Sequence, residues 1–138
     1  MSSETAPPRL RLAVVGAHLT GMPLNPELIA RGAVFVERAT TSSAYRLYAL
    51  ANTTPPKPGL ARAGAEQGGP IEVELWDMPL TEVGAFLAGI PAPLGLGTLE
   101  LADGRQVKGF ICEGHAIAEA IDITAFGGWR AYRAAEQA

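Results

Sequence analysis

The chain predicts an α+β domain built on a mostly antiparallel, curled sheet, and three observations carry that expectation. About six short runs of β-branched or alternating residues recur along it, with three or four short helical patterns among them. Two of the runs, Leu96 to Ala102 and Arg105 to Glu113, are joined by Asp103-Gly104, the dipeptide favoured by a type I′ hairpin turn. At 138 residues the chain fits one domain, long enough to bury roughly two-thirds of its unfolded surface without disulfide staples.

Taken in order, Leu10 to Val15 reads as an aliphatic strand ending at Gly16. The stretch Leu24 to Gly32 is punctuated as a short helix. Asn25 stands where an N-cap belongs, Pro26 at the first helical position, Glu27 in the first turn, Arg31 in the last and Gly32 just beyond. Ala33 to Arg38 and Ala44 to Leu50 are strand patterns joined by the polar turn Thr40 to Ser43. From Asn52 to Gly69 the density of Pro and Gly argues for a functional or mobile loop region, with brief pairing at Gly59 to Ala63. Ile71 to Trp76 alternates as a half-buried strand, with Glu72 and Glu74 expected to face solvent. Pro79 opens a helix whose Leu80, Val83, Leu87 and Ile90 share a face until Pro91 and Pro93 stop it. Beyond the hairpin, Ala116 to Ile121 and Phe126 to Glu136 read as helices, with Asp122 or Thr124 as a cap for the second.

Residues 1–9 are read as a flexible tail and 10–138 as the single domain, and the N-terminus carries no basic and apolar signal-peptide pattern. A cytoplasmic location is the resulting expectation. Apolar runs fall far short of the roughly 20 residues of a membrane span, so no membrane partner is expected. The net charge of −3 without a Lys/Arg cluster excludes the electrostatic footprint of a nucleic-acid binder. Cys112, the single cysteine, reads as a small core residue. With two histidines and no metal-ligand spacing, neither a metal nor a cofactor is implied.

The stretch most suggestive of chemistry is the break from strand to helix at Gly16-Ala17-His18-Leu19-Thr20-Gly21. A buried strand feeding a glycine-bounded loop gathers backbone N–H groups beside one imidazole, and that combination can receive an anion. Further blocks accompany it. Val15 to Asn25, Tyr45 to Leu50, Ile90 to Gly97, Val107 to Glu113 and Asp122 to Tyr132 together resemble the C-terminal domain of allophanate hydrolase, in the same order, and span nearly everything from Leu10 to Tyr132.

That resemblance implies a fold similar to γ-glutamylcyclotransferase: a small, barrel-like mixed sheet whose first glycine loop forms part of the ligand pocket. It also implies a role in urea or cyanuric-acid nitrogen metabolism. In the family, an amidase domain cuts allophanate to ammonia and N-carboxycarbamate, and the C-terminal domain is associated with breaking the latter down to carbon dioxide and ammonia. The chain has no amidase region, and it lacks an obvious counterpart of the acid on which cyclotransferases rely.

N-carboxycarbamate holds two carboxylates on one nitrogen, so its site needs donors for the anions and a proton for the nitrogen as carbon dioxide departs. His18 and Arg46 are the candidate catalytic pair, the first as general acid and the second as a planar fork clamping a carboxylate. Candidate substrate-binding residues are Gly16, Ala17, Leu19, Thr20, Gly21, Asn25, Tyr45, Tyr48 and Pro91. On a strand, Arg46 and Tyr48 share one face, and Tyr45 and Leu47 the other. Asn25 doubles as the helix cap, while Glu113 and His115 are left without a role. Phe126, Trp129 and Tyr132 recur at helical spacing as a packing or interface stripe, suited to core, a partner or a homodimer.

Three functions follow. The first is an enzyme binding a small carboxylate or carbamate ligand and promoting its breakdown, as a stand-alone relative of the C-terminal domain. The second is a non-catalytic binding or assembly module for a separate amidase. The third is a γ-glutamylcyclotransferase, disfavoured by the absent acid.

Overall fold

The computed structural model describes residues 7–137. Five strands form the larger sheet: β1 (Arg9–Val14), β2 (Val34–Thr40), β5 (Glu72–Pro79), β6 (Leu94–Glu100) and β7 (Gln106–Cys112), in the order β2-β5-β1-β7-β6. Three more, β3 (Tyr45–Ala49), β4 (Pro58–Arg62) and β8 (Ile121–Asp122), form a second sheet in the order β4-β3-β8. The helices are α1 (Asn25–Ala30), α2 (Leu80–Ala88) and α3 (Trp129–Glu136). The α+β class expected from the sequence is the class observed, with two sheets instead of one.

All the larger sheet's ladders are antiparallel except β1 with β7, where Leu12 faces Lys108 and Ala13 faces Gly109. Gly109 permits that approach, because a Cβ there would sit 2.9 Å from the Cβ of Ala13. The two sheets also meet closely: a Cβ on Gly59 of β4 would lie 2.8 Å from Cys112 Sγ of β7. One apolar core draws on both sheets, including Leu12, Leu47, Leu60, Leu75, Leu99 and Ile123, each 1% exposed or less. At roughly 1.5–3 kcal/mol per fully buried aliphatic side chain, this core supplies the main favourable term for folding.

Several local expectations are corrected. The hairpin does not use a type I′ turn: Leu101 N–H donates to Arg105 O, Gly104 N–H donates to Leu101 O, and Gly104 alone adopts positive φ, +92°. A three-residue loop ending in a left-handed glycine follows, because Asp103 keeps negative φ and uses its carboxylate to cap Arg105 N–H at 3.1 Å. The brief pairing expected at 59–63 is a full strand, β4, registered against β3 from Tyr45↔Arg62 to Ala49↔Pro58. The segment read as a helix over 116–121 is a 3₁₀ turn, Gly114–Glu119, followed by β8, which adds Ile121 and Asp122 to the edge of β3. Asn25 is not the cap of α1. Leu24 holds that position, and the Asn25 amide is drawn away to His18 O.

Residues 1–6 of the expected tail lie outside the described residues. Of the rest, Pro8 O accepts a bond from Leu80 N–H at 2.9 Å, and Arg9 opens β1. The largest departure is on β5. Glu74 does not face solvent but is fully buried, since β5 is an inner strand covered on both faces. No helix among the described residues is long and apolar enough to cross a membrane.

Candidate functional site

At the end of β1 the chain leaves the sheet through Val15 and Gly16, passing tightly under the ring of Pro58. A Cβ on Gly16 would run into that ring. The next five residues form a compact loop. Leu19 N–H donates to Gly16 O (3.0 Å), Leu24 N–H donates to Ala17 O (2.8 Å), and Gly21 turns the chain at φ +86°. Leu19 anchors the loop in the core, and Asn25 Nδ2 donates to His18 O at 2.9 Å. Among the described residues, the backbone N–H groups of Ala17 and His18 find no acceptor.

This folding leaves the His18 ring between two aromatic walls. It stacks on Phe110 of β7, with centroids 5.2 Å apart, and meets the edge of Phe86 of α2 at 5.3 Å. Its side chain is only 11% exposed, and Nε2–H donates to Glu27 Oε1 at 3.0 Å. Burial pushes the imidazole pKa down and wins the balance. The Glu27 contact opposes it and the nearby Lys57 charge adds to it.

Beside the ring opens a hollow of about 270 Å³, near the lower end of the range of small-ligand sites. Gly16, Ala17, His18 and Glu27 line one side. Thr54, Pro55, Lys57 and Pro58 form the opposing lip, and Phe86, Ile90, Pro91, Leu94 and Phe110 supply apolar walls. The polar side chains among the lining residues are those of His18, Lys57, Glu27 and Thr54. Such a set can hold a small anion and deliver a proton to it.

Of the residues singled out from sequence, Gly16, Ala17, His18 and Pro91 come together here. Leu19 is core. Thr20 lies on the far side of the loop, bonded to Glu74, and Gly21 lines a separate groove against α3. Asn25 is buried beneath the loop as a strut for His18. Tyr45 is 1% exposed, with its hydroxyl accepting from Glu100 N–H at 2.9 Å. Tyr48 sits between Gly59 and Asp122 in the smaller sheet.

The expected partnership of His18 with Arg46 is not formed. Arg46 does not line the hollow. Its Nε donates to Asp122 Oδ2 at 2.6 Å and its Nη1 to Gln67 O at 2.8 Å, tying β3 to β8 and to the loop before β5. The side-chain face was read correctly, but the second sheet turns that face away from the first loop. Glu113 and His115 are exposed and line no part of the hollow either. Cys112 is buried, and burial pushes its thiol pKa up, away from nucleophilic character.

Sequence reasoning missed Glu27, Lys57, Phe86 and Phe110. Glu27 had a signal, an acid in the first turn of the helix that follows the histidine loop. Lys57 lay inside the Pro-rich stretch read as a functional loop. The two phenylalanines had none, because only tertiary packing brings α2 and β7 to the ring.

Comparison with known proteins agrees with this architecture. Residues 10–134 match the family model of the allophanate hydrolase C-terminal domain. Urea amidolyase of Lachancea kluyveri is 44% identical over 126 residues, which is 89% of this chain and 7% of that protein. This chain therefore spans a small fraction of the curated relatives it matches. Among solved structures, Kluyveromyces lactis allophanate hydrolase superposes with a TM-score of 0.91 at 41% identity, over 94% of this chain and 22% of that one. A uropathogenic E. coli-specific protein superposes at 0.83 and 34% identity, over 92% of this chain and 97% of its own. A gamma-glutamyl cyclotransferase is similar at 0.58 and 10% identity, over 83% of this chain and 70% of that one, a likeness of fold alone. On the matched residues and these identities, the chain belongs to the allophanate hydrolase C-terminal domain family.

Proposed function

We propose that this chain acts in urea and allophanate nitrogen metabolism by binding N-carboxycarbamate in the hollow beside His18 and promoting its breakdown to carbon dioxide and ammonia. The observation that carries the reading is one small cavity lined by a sheltered imidazole and by Lys57, beside a loop whose Ala17 and His18 N–H groups find no acceptor among the described residues. Family membership and the names of the relatives support the choice of substrate.

In this reading one carboxylate rests on the loop N–H groups and the other faces Lys57, which takes the clamping part first expected of Arg46. A dianion beside the imidazole favours its charged form and offsets the burial that otherwise keeps it neutral. The imidazolium then gives its proton to the central nitrogen. As the N–C bond breaks, its electron pair stays on nitrogen and one carboxylate leaves as carbon dioxide. Carbamate remains, and a second protonation and N–C cleavage release ammonia and the other carbon dioxide. Between the two steps the imidazole takes a proton from water, and Glu27, hydrogen-bonded to the ring and exposed to solvent, favours that return to the charged form. The apolar walls favour loss of charge, because the departing carbon dioxide is neutral and the dianion is not.

The test is ammonia release from freshly generated N-carboxycarbamate with the native chain and with His18→Ala. A correctly placed general acid contributes roughly 10²- to 10⁴-fold, so the variant is expected to fall to the uncatalysed rate. Equal rates with and without protein would remove the enzymatic reading. A docking role on a separate amidase is the second reading. It is favoured by the presence of this domain as 7% of a urea amidolyase. Co-purification with such an amidase, with His18→Ala as competent as the native chain, would select it.

A further inference from the structure

Glu74 is fully buried on β5, outside the hollow, and its side chain is hydrogen-bonded to the histidine loop, to the last helix and to Trp76 of its own strand. Its Oε1 accepts from Thr20 N–H (2.9 Å), Thr20 Oγ1 (3.0 Å) and Trp76 Nε1 (3.1 Å), and its Oε2 accepts from Arg130 Nη2 at 2.8 Å. The same Arg130 Nη2 donates to Thr20 O at 2.6 Å. Thr20 is thus held at its N–H, its hydroxyl and its carbonyl, two positions along the chain from His18. Arg130 is itself fixed between two acids of β5, with Nη1 lying 3.7 Å from Glu72 Oε1.

A carboxylate removed from water on an inner strand is costly, and an apolar residue would fill the space without that cost. The alternation of β5 does not call for one there. What the carboxylate does supply is geometry: it can accept several bonds from one loop residue and a cationic partner at once. Four donors converge on it, and three of them, from Thr20 and Arg130, tie down the Thr20 end of a loop that Leu19, Asn25 and the Leu24 N–H bond to Ala17 O hold elsewhere.

We infer that Glu74 and Arg130 are positioning residues for His18: through Thr20 they fix the glycine loop so that the imidazole stays between Phe86 and Phe110 and on the wall of the hollow. The inference rests on His18 being the acting group, but its geometric content is independent of any substrate.

The experiment follows the His18 imidazole by NMR titration in the full chain. Glu27 and Lys57, the charged groups that face His18, are left untouched. Thr20→Val removes one hydroxyl from an exposed loop residue, and Glu74→Gln keeps the shape while removing the charge. In both, the His18 midpoint is expected to rise by about 0.5 in pH or more, back toward that of a solvated imidazole, as the ring loses its shelter. A His18 midpoint identical to the native one in folded Thr20→Val would overturn the proposal, whether or not Glu74→Gln folds. Failure of N-carboxycarbamate turnover would instead count against the proposed function and leave this result standing.

Discussion

The His18 ring and the Glu27 carboxylate, 3.0 Å apart, are the meeting point of the strand-end loop and the first helix, and they pull the same proton against burial. Burial wins, so the His18 pKa lies below its ordinary value, and Glu27 is the principal influence holding its basicity up. Glu27→Gln removes that influence. The His18 NMR midpoint is expected to fall further below its ordinary value, and the alkaline limb of the activity profile, where the general acid loses its proton, to move to lower pH. A midpoint unchanged by the substitution would mean the hydrogen bond has no electrostatic weight.

Ligand binding should take up protons. Malonate, which replaces the nitrogen of N-carboxycarbamate with a methylene, is a stable dianionic probe. Its arrival beside a mostly neutral imidazole raises the midpoint of that group, so binding near pH 7 is expected to draw protons from the buffer. Calorimetry in buffers of different ionisation enthalpy measures this directly. Identical apparent enthalpies in all buffers would contradict it.

Lys57, not Arg46, should govern affinity for such dianions. Lys57→Met is expected to weaken malonate binding by about tenfold, the equivalent of roughly 1.4 kcal/mol. Arg46→Ala, which breaks the tie to Asp122 on the other sheet, is expected to leave affinity within about twofold. The opposite ranking would return the anion clamp to the smaller sheet.

The closeness of the glycine loop to the lip makes Gly16 intolerant of any side chain. Gly16→Ala forces a methyl group into the Pro58 ring and is expected to destabilise the fold by about 1–3 kcal/mol, the usual range for overpacking. Thermal unfolding measures the loss. A neutral result would mean that the lip moves aside at little cost.

Stability should decline on acidification in two windows. His18 has its folded pKa lowered by burial, so its contribution is complete above the unfolded value near 6.5 and lost as pH falls through the folded one. For Glu74, burial alone would raise the pKa. The Thr20 N–H, Trp76, the Thr20 hydroxyl and Arg130 together hold it below the ordinary value. Its contribution is present above about pH 4.3 and lost as pH falls through the lower folded value. Denaturant midpoints measured against pH should show both slopes, with His18→Gln removing the upper one and Glu74→Gln the lower.

Much of the fold was legible because its punctuation is local. Pro26 and Gly32 bracket the first helix, Pro91 ends the second, and alternation put Tyr45 and Leu47 on one face of β3, the face that the fold buries. The histidine loop was legible for the same reason, as a strand that breaks at glycine. Arg46 was misplaced because alternation tells which residues share a face but not which sheet the face belongs to. The two-sheet division depends on long-range pairing, such as that of β3 with β8. Glu74 was misread because β5 shows a half-buried pattern, while its real environment is set by a loop and a helix about 55 residues away on either side. Charge in the interior is invisible to a periodicity rule.

The placement of the first strand carries one more implication. β1 lies between β5 and β7, so its ladder partners are Leu75 and Trp76 on one side and Lys108 and Gly109 on the other. Within the domain this segment is made before either partner strand, so one edge waits for Glu72–Pro79 and the other for Gln106–Cys112. Such high contact order slows folding and leaves an apolar strand waiting in the open, where chaperone capture or association with other nascent chains competes with completion. A circular permutant that begins after β1 and carries it at the far end would bring it out last, directly beside neighbours already in place.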